Sequence, residues 1–253
     1  MVLAWTVVES LIDYRRTAGK NPTDTHRPNW MHRWCGTALR RLRISCSVVG
    51  TPPQSGLIVS NHMTYLDIFA IGSATPCVFV SKAEVRSWPV FGTLTTIAGT
   101  VYIDRTRRSD TRNANEQIRQ ILSRGMRVVI FPEGTSSDGS DVLPFYPSLF
   151  EPAIECGVPI TAAHISYSLE DGGVGDDVAY WGEMTFFPHL LKLLSKSGLT
   201  ATVTFAAQAS TFADRKVAAS EMREEVLKLH HSSSSVTVAE LRQGGRGFFS
   251  AVT

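Results

Sequence analysis

The chain has 253 residues, of which 43% are hydrophobic, so it is long enough to bury the core of one α/β domain with a small appendage. A formal net charge of +2 is too small to indicate a nucleic-acid-binding protein. The four cysteines show no C-x-x-C spacing and no matching His cluster, which indicates a reduced, metal-free, cytosol-facing protein.

The first 43 residues carry eight Lys or Arg against three acidic residues. Residues 1–8 are apolar, but Glu9 interrupts the run, and it has neither a basic start nor a convincing cleavage site. This stretch therefore predicts neither a membrane-spanning helix nor a signal peptide.

Residues 28–43 have the periodicity of an amphipathic helix. One broad face collects Trp30, Met31, Trp34, Cys35, Ala38, Leu39 and Leu42. Arg33, Arg40 and Arg43 lie opposite. Such a helix either packs its apolar face on the domain or lies in a membrane interface, with Trp at the apolar boundary and Arg toward lipid headgroups.

After this segment, short apolar runs alternate with helical patterns. The runs predict strands at 44–49, 57–60, 78–80, 101–103, 128–131, 160–165 and 200–205. Helices are predicted at 64–71, 110–123, 149–155, 189–197 and 214–229. The alternation predicts an α/β fold with a mixed, largely parallel sheet flanked by helices.

The predicted organisation has three parts. An N-terminal helical segment, a candidate for membrane contact, spans 1–43, the main domain spans 44–230, and a Ser-rich, poorly ordered tail spans 231–253.

His62 and Asp67 follow the strand predicted to end at Ser60. On a straight helix the two side chains would lie about 140° apart and could not pair. If the helix begins near Thr64, His62 lies in the preceding turn and folds back onto the Asp67 carboxylate. That arrangement is a general base with the group that orients it, although this spacing alone also arises by chance.

Two further polar segments lie at predicted strands. Residues 131–137 read F-P-E-G-T-S-S, and residues 99–105 read G-T-V-Y-I-D-R. In open α/β sheets, strand-to-helix loops converge on a crevice, so we expect polar chemistry to cluster at the strand ends. Residues 157–160, G-V-P-I, lead into another apolar strand.

Together these blocks resemble the glycerolipid acyltransferase family typified by bacterial 1-acylglycerol-3-phosphate acyltransferases. That family has, in order, N-H-x-x-x-x-D, G-x-x-[FY]-I-D-R, F-P-E-G-T-R-S and V-P-[IV], and the resemblance covers roughly residues 44–165. Lys82 stands where the family carries a Lys. Ser136 is a departure, because many members carry Arg there.

The resemblance implies an O-acyltransferase of phospholipid biosynthesis, which moves a fatty acyl chain from an acyl thioester to the free hydroxyl of a lysolipid. The favoured acceptor is 1-acylglycerol-3-phosphate, which gives phosphatidate. His62 would deprotonate the hydroxyl, and Asp67 would hold the ring and stabilise the imidazolium. Backbone N–H groups of Glu133, Gly134 and Thr135 are candidate donors to the oxyanion.

The anion-binding residues have competing interpretations. By resemblance, Glu133 acts in acceptor binding, whereas an isolated Glu after Pro usually caps a loop through backbone N–H groups. Arg105 would grip the acceptor's phosphate as a guanidinium fork, with Lys82 adding charge. The alternative for Arg105 is a surface ion pair with Asp104 or another nearby acid.

The implied partners are membrane lipids, a lysolipid acceptor and an acyl donor, either acyl-coenzyme A or acyl carrier protein. No cofactor, metal or nucleic acid is implied. With lipid-modifying motifs present, the interfacial interpretation of residues 28–43 is favoured, which predicts a peripheral protein on the cytoplasmic face of the inner (plasma) membrane.

Three alternatives remain open at this point. Because Ser136 removes one guanidinium, the acceptor could be a lyso-ornithine lipid, another lysophospholipid or a non-phosphate molecule. The chain could instead be a non-catalytic lipid-binding protein on the same fold. A hydrolase would use His62 and Asp67 to activate water.

Overall fold

The computed structural model describes residues 2–18, 23, 25–104 and 107–244. The strands are β1 (Ser45–Val49), β2 (Gly56–Ser60), β3 (Val78–Lys82), β4 (Val101–Ile103), β5 (Arg127–Ile130), β6 (Ile160–Ser168) and β7 (Thr200–Phe205). The helices are α1 (Val2–Thr17), α2 (His26–Arg41), α3 (Leu66–Ala74), α4 (Phe91–Ile97), α5 (Arg108–Ser123), α6 (Glu151–Glu155), α7 (Phe186–Leu194) and α8 (Arg215–Gly244). Short 3₁₀ turns at Ala83–Ser87 and Pro147–Leu149 and a π turn at Val174–Val178 complete the elements.

The strands form one seven-stranded sheet in the order β1-β7-β6-β2-β5-β3-β4. Strands β2 to β6 are parallel, β7 is antiparallel to β6, and β1 is parallel to β7. The prediction of a mixed, largely parallel sheet is confirmed, and each predicted strand is present.

Helices cover both faces of the sheet. Leu57 and Val59 of β2 point to the layer of α5, α6 and α8, whereas Ile58 points to the layer of α2 and α3. Alternate side chains of a strand point to opposite faces, so a strand covered on both faces is apolar at every position. This explains why β2 is the fully buried run that precedes the His62 turn.

Helix α2 forms where the periodicity predicted a helix, but its apolar face is not available to a membrane. Trp30, which is only 3% exposed, packs with Met31 and Cys35 against α3 and the sheet. The Trp30 indole N–H donates to the Ser10 carbonyl at 3.0 Å, so α1 lies across this tryptophan. The interfacial placement of the Trp30 face is therefore wrong, and the core-facing interpretation is right.

Part of the polar side of α2 is also engaged by helix α1. Arg33 and the Trp34 indole N–H both contact the Asp13 carboxylate, at 3.1 and 2.8 Å. Arg41 pairs with Glu9. These arginines therefore bind protein carboxylates rather than standing free for lipid headgroups.

The helices differ from the prediction most at α4, α7 and α8, while α3, α5 and α6 are shifted at their ends by two or three residues. Helix α4, whose sequence F-G-T-L-T-T-I is rich in β-branched residues of low helix propensity, was not predicted, and packing overrides that propensity here. Helix α7 begins at Phe186 rather than at His189. Helix α8 runs on to Gly244, through the serines taken as the start of a poorly ordered tail. Residues 245–253 lie outside the described residues.

Within the described ranges, none of the helices combines the length and the apolar character that crossing a bilayer requires.

Candidate active site

The candidate site lies where the parallel strands β2 and β5 end side by side. His62 follows β2 by two residues, and the loop containing Glu133 follows β5. Parallel neighbours place their carboxyl ends at the same edge of a sheet, which brings the two loops together.

The predicted pairing of His62 and Asp67 is present. The His62 Nδ1 and Asp67 Oδ2 atoms are 2.7 Å apart. Asp67 lies in the first turn of α3, and residues 61–65 form the turn that folds His62 back onto it. Because a carboxylate only accepts hydrogen bonds, Nδ1 carries the proton and Nε2 keeps its lone pair. The imidazole is 23% exposed.

Asp67 is completely buried and accepts hydrogen bonds on both oxygens. Oδ2 also accepts from the Met63 and Thr64 backbone N–H groups at 2.7 and 3.0 Å. Oδ1 accepts from the Tyr167 hydroxyl at 2.6 Å. Burial and the nearby carboxylate raise the pKa of Tyr167 well above its usual value, so its hydroxyl is a stable donor.

Glu133 is buried, and both of its carboxylate oxygens contact the backbone. Oε1 accepts from the His62 N–H at 2.8 Å, and Oε2 accepts from the Leu143 N–H at 3.0 Å. Burial raises the pKa of Glu133 to about 7, while these two N–H groups act in the opposite direction. Glu133 thus ties the β5 loop to the turn that carries His62.

Two more contacts fix His62 against the β5 loop. The imidazole stacks on the Phe131 ring with centroids 4.2 Å apart and planes inclined by 15°. The Ser137 N–H donates to the His62 carbonyl at 2.9 Å. The backbone and ring of His62 are therefore positioned by strand β5 as well as by strand β2.

One of the three N–H groups predicted to donate to the oxyanion already donates within the protein. Gly134 adopts a φ of 70°, a left-handed conformation that suits glycine, and its N–H donates to the Phe131 carbonyl at 3.1 Å. The backbone N–H groups of Glu133 and Thr135 have no acceptor within the described residues. Gly134 is consequently removed from the candidate donors, and the other two remain.

The two cations predicted to bind an anion make no hydrogen bond or ion pair with this cluster among the described residues. Lys82 ends β3, the strand beside β5, and is exposed without an ion-pair partner in the described part of the chain. Arg105 lies outside the described residues. Ser136, at the position of the family's Arg, donates its hydroxyl to the Tyr180 carbonyl.

Sequence reasoning missed two residues that support the site. Tyr167 was missed because the strand was predicted to end at Ile165, whereas β6 continues to Ser168. Asn61 was not assigned a role, yet its amide exchanges two hydrogen bonds with the Ile165 backbone, at 2.9 and 2.8 Å. The available signal was the position of each residue at a strand end, since Asn61 directly follows β2 and Tyr167 lies near the end of the neighbouring strand β6.

Among the described side chains, no group of three or more His, Cys, Asp or Glu is arranged to hold a metal ion. The fold and the site define an α/β protein with a His–carboxylate pair at the strand ends, the arrangement with which enzymes deprotonate a hydroxyl.

Comparison with known proteins gives the family. The family model Acyltransferase matches residues 47–166. The 1-acyl-sn-glycerol-3-phosphate acyltransferase of Neisseria gonorrhoeae is 33% identical over 196 residues, covering 75% of this chain and 76% of the relative. The lyso-ornithine lipid O-acyltransferase of Brucella abortus is 32% identical over 230 residues and covers 85% of each. The chain belongs to the glycerolipid acyltransferase family and is an acyltransferase.

A solved structure shows the same fold. The crystal structure of the 1-acyl-sn-glycerophosphate (LPA) acyltransferase PlsC from Thermotoga maritima superposes with a TM-score of 0.62 at 18% identity. The superposition covers 92% of this chain and 95% of that chain.

Proposed function

We propose that the protein transfers a fatty acyl chain from an acyl thioester to the free hydroxyl of a lysolipid, with His62 as general base. The observation that carries this proposal is the 2.7 Å contact between His62 Nδ1 and the fully buried Asp67 carboxylate. That contact sets the tautomer that leaves Nε2 free to accept a proton.

The reaction begins with proton transfer from the acceptor hydroxyl to His62 Nε2. The oxygen attacks the thioester carbonyl, and the C–O bond forms as the carbonyl electrons move onto its oxygen. Collapse of the tetrahedral intermediate breaks the C–S bond, and the imidazolium returns its proton to the departing thiolate. The nucleophile belongs to the substrate, so the protein needs no acylated side chain.

Asp67 stabilises the imidazolium while it exists. Its four hydrogen-bond donors hold the carboxylate in one position, so the ring need not reorganise as charge develops. The free N–H groups of Glu133 and Thr135 are our candidate donors to the oxyanion. The turn that carries them is held beside His62 by the Glu133 carboxylate.

Glu133 serves the acceptor indirectly in this proposal. Both of its oxygens already accept backbone N–H groups, which supports the loop-capping interpretation. We infer that Glu133 positions the loop, and that direct contacts to an anionic headgroup fall to Arg105 and Lys82.

The favoured acceptor is 1-acylglycerol-3-phosphate, the substrate named for the Neisseria gonorrhoeae relative. A lyso-ornithine lipid is the second candidate, because the Brucella abortus relative carries that name and matches more of the chain. The engagement of Ser136 with the Tyr180 carbonyl supports this second candidate, since Ser136 supplies no cation for a phosphate.

Membrane contact falls to helix α1 rather than α2 in our proposal. Helix α1 buries the polar residues Thr6 and Ser10, whereas Trp5, Val8 and Ile12 are exposed, Trp5 by 63%. An exposed apolar stripe followed by Arg15 and Arg16 is the pattern of a helix lying on an anionic lipid surface. We infer a peripheral protein on the cytoplasmic face, where acyl-coenzyme A and acyl carrier protein occur.

The test is an assay of the purified chain with both kinds of thioester against a panel of lysolipids, including 1-acylglycerol-3-phosphate and a lyso-ornithine lipid. We expect an acylated lipid with at least one acceptor and none with His62→Ala. Thioester cleavage without acceptor would instead identify a hydrolase. If neither product forms with any donor, the catalytic proposal is wrong.

The headgroup contact is tested by Arg105→Ala, with Arg107→Ala as the matched control. Arg107 is exposed and contacts Asp104 at 3.7 Å. A charge-assisted bond to phosphate contributes roughly 1.5 to 3 kcal/mol, so we expect Arg105→Ala to raise the acceptor KM about ten- to a hundredfold. An equal acceptor KM in the two variants would contradict a contact between Arg105 and the headgroup.

A further inference from the structure

We propose that Ser136 is a positioning residue for acyl transfer. Its hydroxyl donates to the Tyr180 carbonyl and so holds the Thr135 N–H, a candidate donor to the oxyanion, in a fixed position relative to His62. Ser136 touches no reacting atom in this role and acts through the backbone of the residue before it. The inference rests on the proposed function, because it concerns how that reaction's oxyanion is bound.

Tyr180 connects both loops of the candidate site through its backbone. Its N–H donates to the Met63 carbonyl at 2.8 Å, in the turn that follows His62. Its carbonyl accepts from the Ser136 hydroxyl, in the loop that follows β5. One residue of a third segment therefore joins the loop of the base to the loop of the candidate oxyanion donors.

The segment that carries Tyr180 is itself firmly held. Val178 and Ala179, directly before it, have no solvent exposure. The Asp177 carboxylate, one residue earlier, contacts the Lys192 ammonium at 2.8 Å. Residues buried in a close-packed core move little, so the Tyr180 carbonyl is a stationary acceptor for Ser136.

The Tyr180 side chain adds a contact with the turn of the base. Its ring meets that of Tyr65, which lies between His62 and Asp67, with centroids 5.8 Å apart. The Tyr65 hydroxyl is in turn 3.1 Å from the His189 Nδ1 atom. Burial raises the pKa of Tyr65 and lowers that of His189, so at neutral pH the hydroxyl donates to a neutral ring. These contacts keep Tyr180 in register with the His62 turn.

In the β5 loop, Ser136 lies between two other points of attachment. The Glu133 carboxylate accepts from the His62 N–H, and the Ser137 N–H donates to the His62 carbonyl at 2.9 Å. Between them, the Ser136 hydroxyl makes the one side-chain hydrogen bond found among the described residues. Thr135 is exposed. Loss of the hydroxyl would therefore free the Thr135 backbone while both ends of the loop stay attached.

The placement of an oxyanion donor matters because the donor contributes fully only when it is already in position as charge develops. Removal of such a donor lowers kcat about 10²- to 10³-fold. A donor that is loosened rather than removed should cost less, and we take about tenfold as the expected loss. A short serine side chain reaches a neighbouring carbonyl with little loss of rotamer freedom, which suits it to this role.

The kinetic test compares Ser136→Ala with Ser136→Thr, which keeps the hydroxyl. Both are assayed with the acyl thioester and the lysolipid that the parent turns over fastest. Ser136→Ala should lower kcat about tenfold and leave the acceptor KM within about a factor of two of the parent value. Ser136→Thr should recover at least roughly half of the parent kcat, because the bond to Tyr180 can form again.

Ser140→Ala is the matched control, because Ser140 is an exposed serine of the same loop whose hydroxyl donates to Asp138 at 2.7 Å. We expect it to keep the parent kcat. An equal loss in Ser140→Ala, or an unchanged kcat in Ser136→Ala, would overturn the inference. A raised acceptor KM with unchanged kcat would also overturn it, since Ser136 would then contact the acceptor directly.

Hydrogen exchange separates this inference from the catalytic proposal. Ser136→Ala should speed exchange of the Gly134 and Ser137 amides about two- to tenfold, the equivalent of one hydrogen bond. The Ile58 amide, within β2, is the internal reference and should not change. Unchanged exchange at both loop amides would overturn the inference alone. Absence of turnover in the parent would overturn the proposed function and, with it, the role of Ser136 in transfer.

Discussion

Asp67 accepts four hydrogen bonds in a position without solvent exposure, and each donor fixes a different part of the site. The Met63 and Thr64 N–H groups shape the turn, Tyr167 anchors the carboxylate to strand β6, and the His62 ring receives its orientation. A buried carboxylate without such donors would be costly, so these contacts serve the fold and the base together.

The first prediction concerns the base. His62→Ala should lower kcat by about 10² to 10⁴, the usual contribution of general-base catalysis, because no other group accepts the hydroxyl proton. Single-turnover acyl transfer measures this effect. The protein should still unfold cooperatively but at a lower temperature, because Asp67 loses one of its four donors while the backbone contacts of residue 62 to Glu133 and Ser137 remain. Near-normal turnover in the variant would rule out His62 as the base.

Asp67→Asn should cost less kcat than His62→Ala, because the base remains but its tautomer is no longer set. It should also destabilise the fold, since an amide nitrogen replaces one accepting oxygen. Tyr167→Phe separates the two effects, because it removes a donor to Asp67 without touching His62.

The second prediction concerns pH. Burial raises the pKa of Glu133 to about 7 from 4.5. Between these two pH values the Glu133 carboxyl is protonated in the folded chain and ionised in the unfolded chain. The resulting stabilisation is full below pH 4.5, declines as pH rises toward 7 and is absent above it. Its size is of the order of 3 kcal/mol. Urea unfolding at several pH values gives the free energy of unfolding of the parent and of Glu133→Gln. The difference between the two proteins, as a function of pH, isolates the contribution of the Glu133 carboxyl.

Other titrating groups are common to both proteins and cancel in the difference. If the free energies of unfolding of the parent and Glu133→Gln change in parallel from pH 5 to pH 8, the carboxyl is not titrating in that range.

At the scale of elements, the apolar face of helix α2 is buried in the protein, although its sequence favoured a membrane interface. Helix α2 has the clearer amphipathic pattern and packs on the protein, whereas α1 buries Thr6 and Ser10 and exposes Trp5. Periodicity identifies an apolar face but not what covers it. Only the tertiary structure decides between core and membrane.

The third prediction compares tryptophans from these two helices. Trp30→Ala should lower the free energy of unfolding by about 3 to 5 kcal/mol, because it removes a buried side chain. Trp5→Ala should change it by at most about 0.5 kcal/mol, as for other exposed residues. Urea unfolding of both variants measures the contrast. Equal losses would mean that Trp5 is also part of the core.

The strands were predictable because continuous or alternating apolar runs bounded by Gly and Pro leave few other structures. The His62 and Asp67 pairing was predictable because the apolar run of β2 ends at Ser60. His62 then falls in the turn before the helix, where it can fold back onto Asp67. The partners of Asp67 and Glu133 could not be read from the sequence, because Tyr167 and Leu143 reach them through the tertiary arrangement. The length of helix α8 was underestimated because serine neither strongly favours the continuation of a helix nor strongly favours its end.

For the whole molecule, two of the described helices each carry several exposed large apolar residues. Helix α1 carries the stripe of Trp5, Val8 and Ile12, and helix α7 carries Phe187 and Leu191. Helix α2 contacts α1 through Trp30, and its Leu39 shares a hydrophobic cluster with Leu193 of α7. Helix α2 therefore contacts α1 directly and shares a hydrophobic cluster with α7.

The fourth prediction tests attachment. Changing Trp5 and Ile12 to Ser should release the protein from anionic vesicles, and added salt should weaken binding of the parent. Each basic residue near the lipid surface contributes about 1 kcal/mol. Co-sedimentation measures both effects, with Val217→Ser, an exposed apolar position on α8, as control. Undiminished sedimentation of the double variant would place the contact elsewhere.

The position of β1 in the sheet has a consequence for the order of folding. Strand β1 precedes the other described strands in the chain, yet its sheet partner is β7, the last of them, with Ser45 aligned to Thr200. Pairings between distant segments form slowly, so β1 remains an unpaired edge while the catalytic loops already meet. We expect pulse-labelled hydrogen exchange during refolding to protect β1 amides after those of β2 and β5. Earlier protection of β1 would contradict this order. Closure of the sheet at β1, rather than assembly of the His62 turn, is then the step that completes the native molecule.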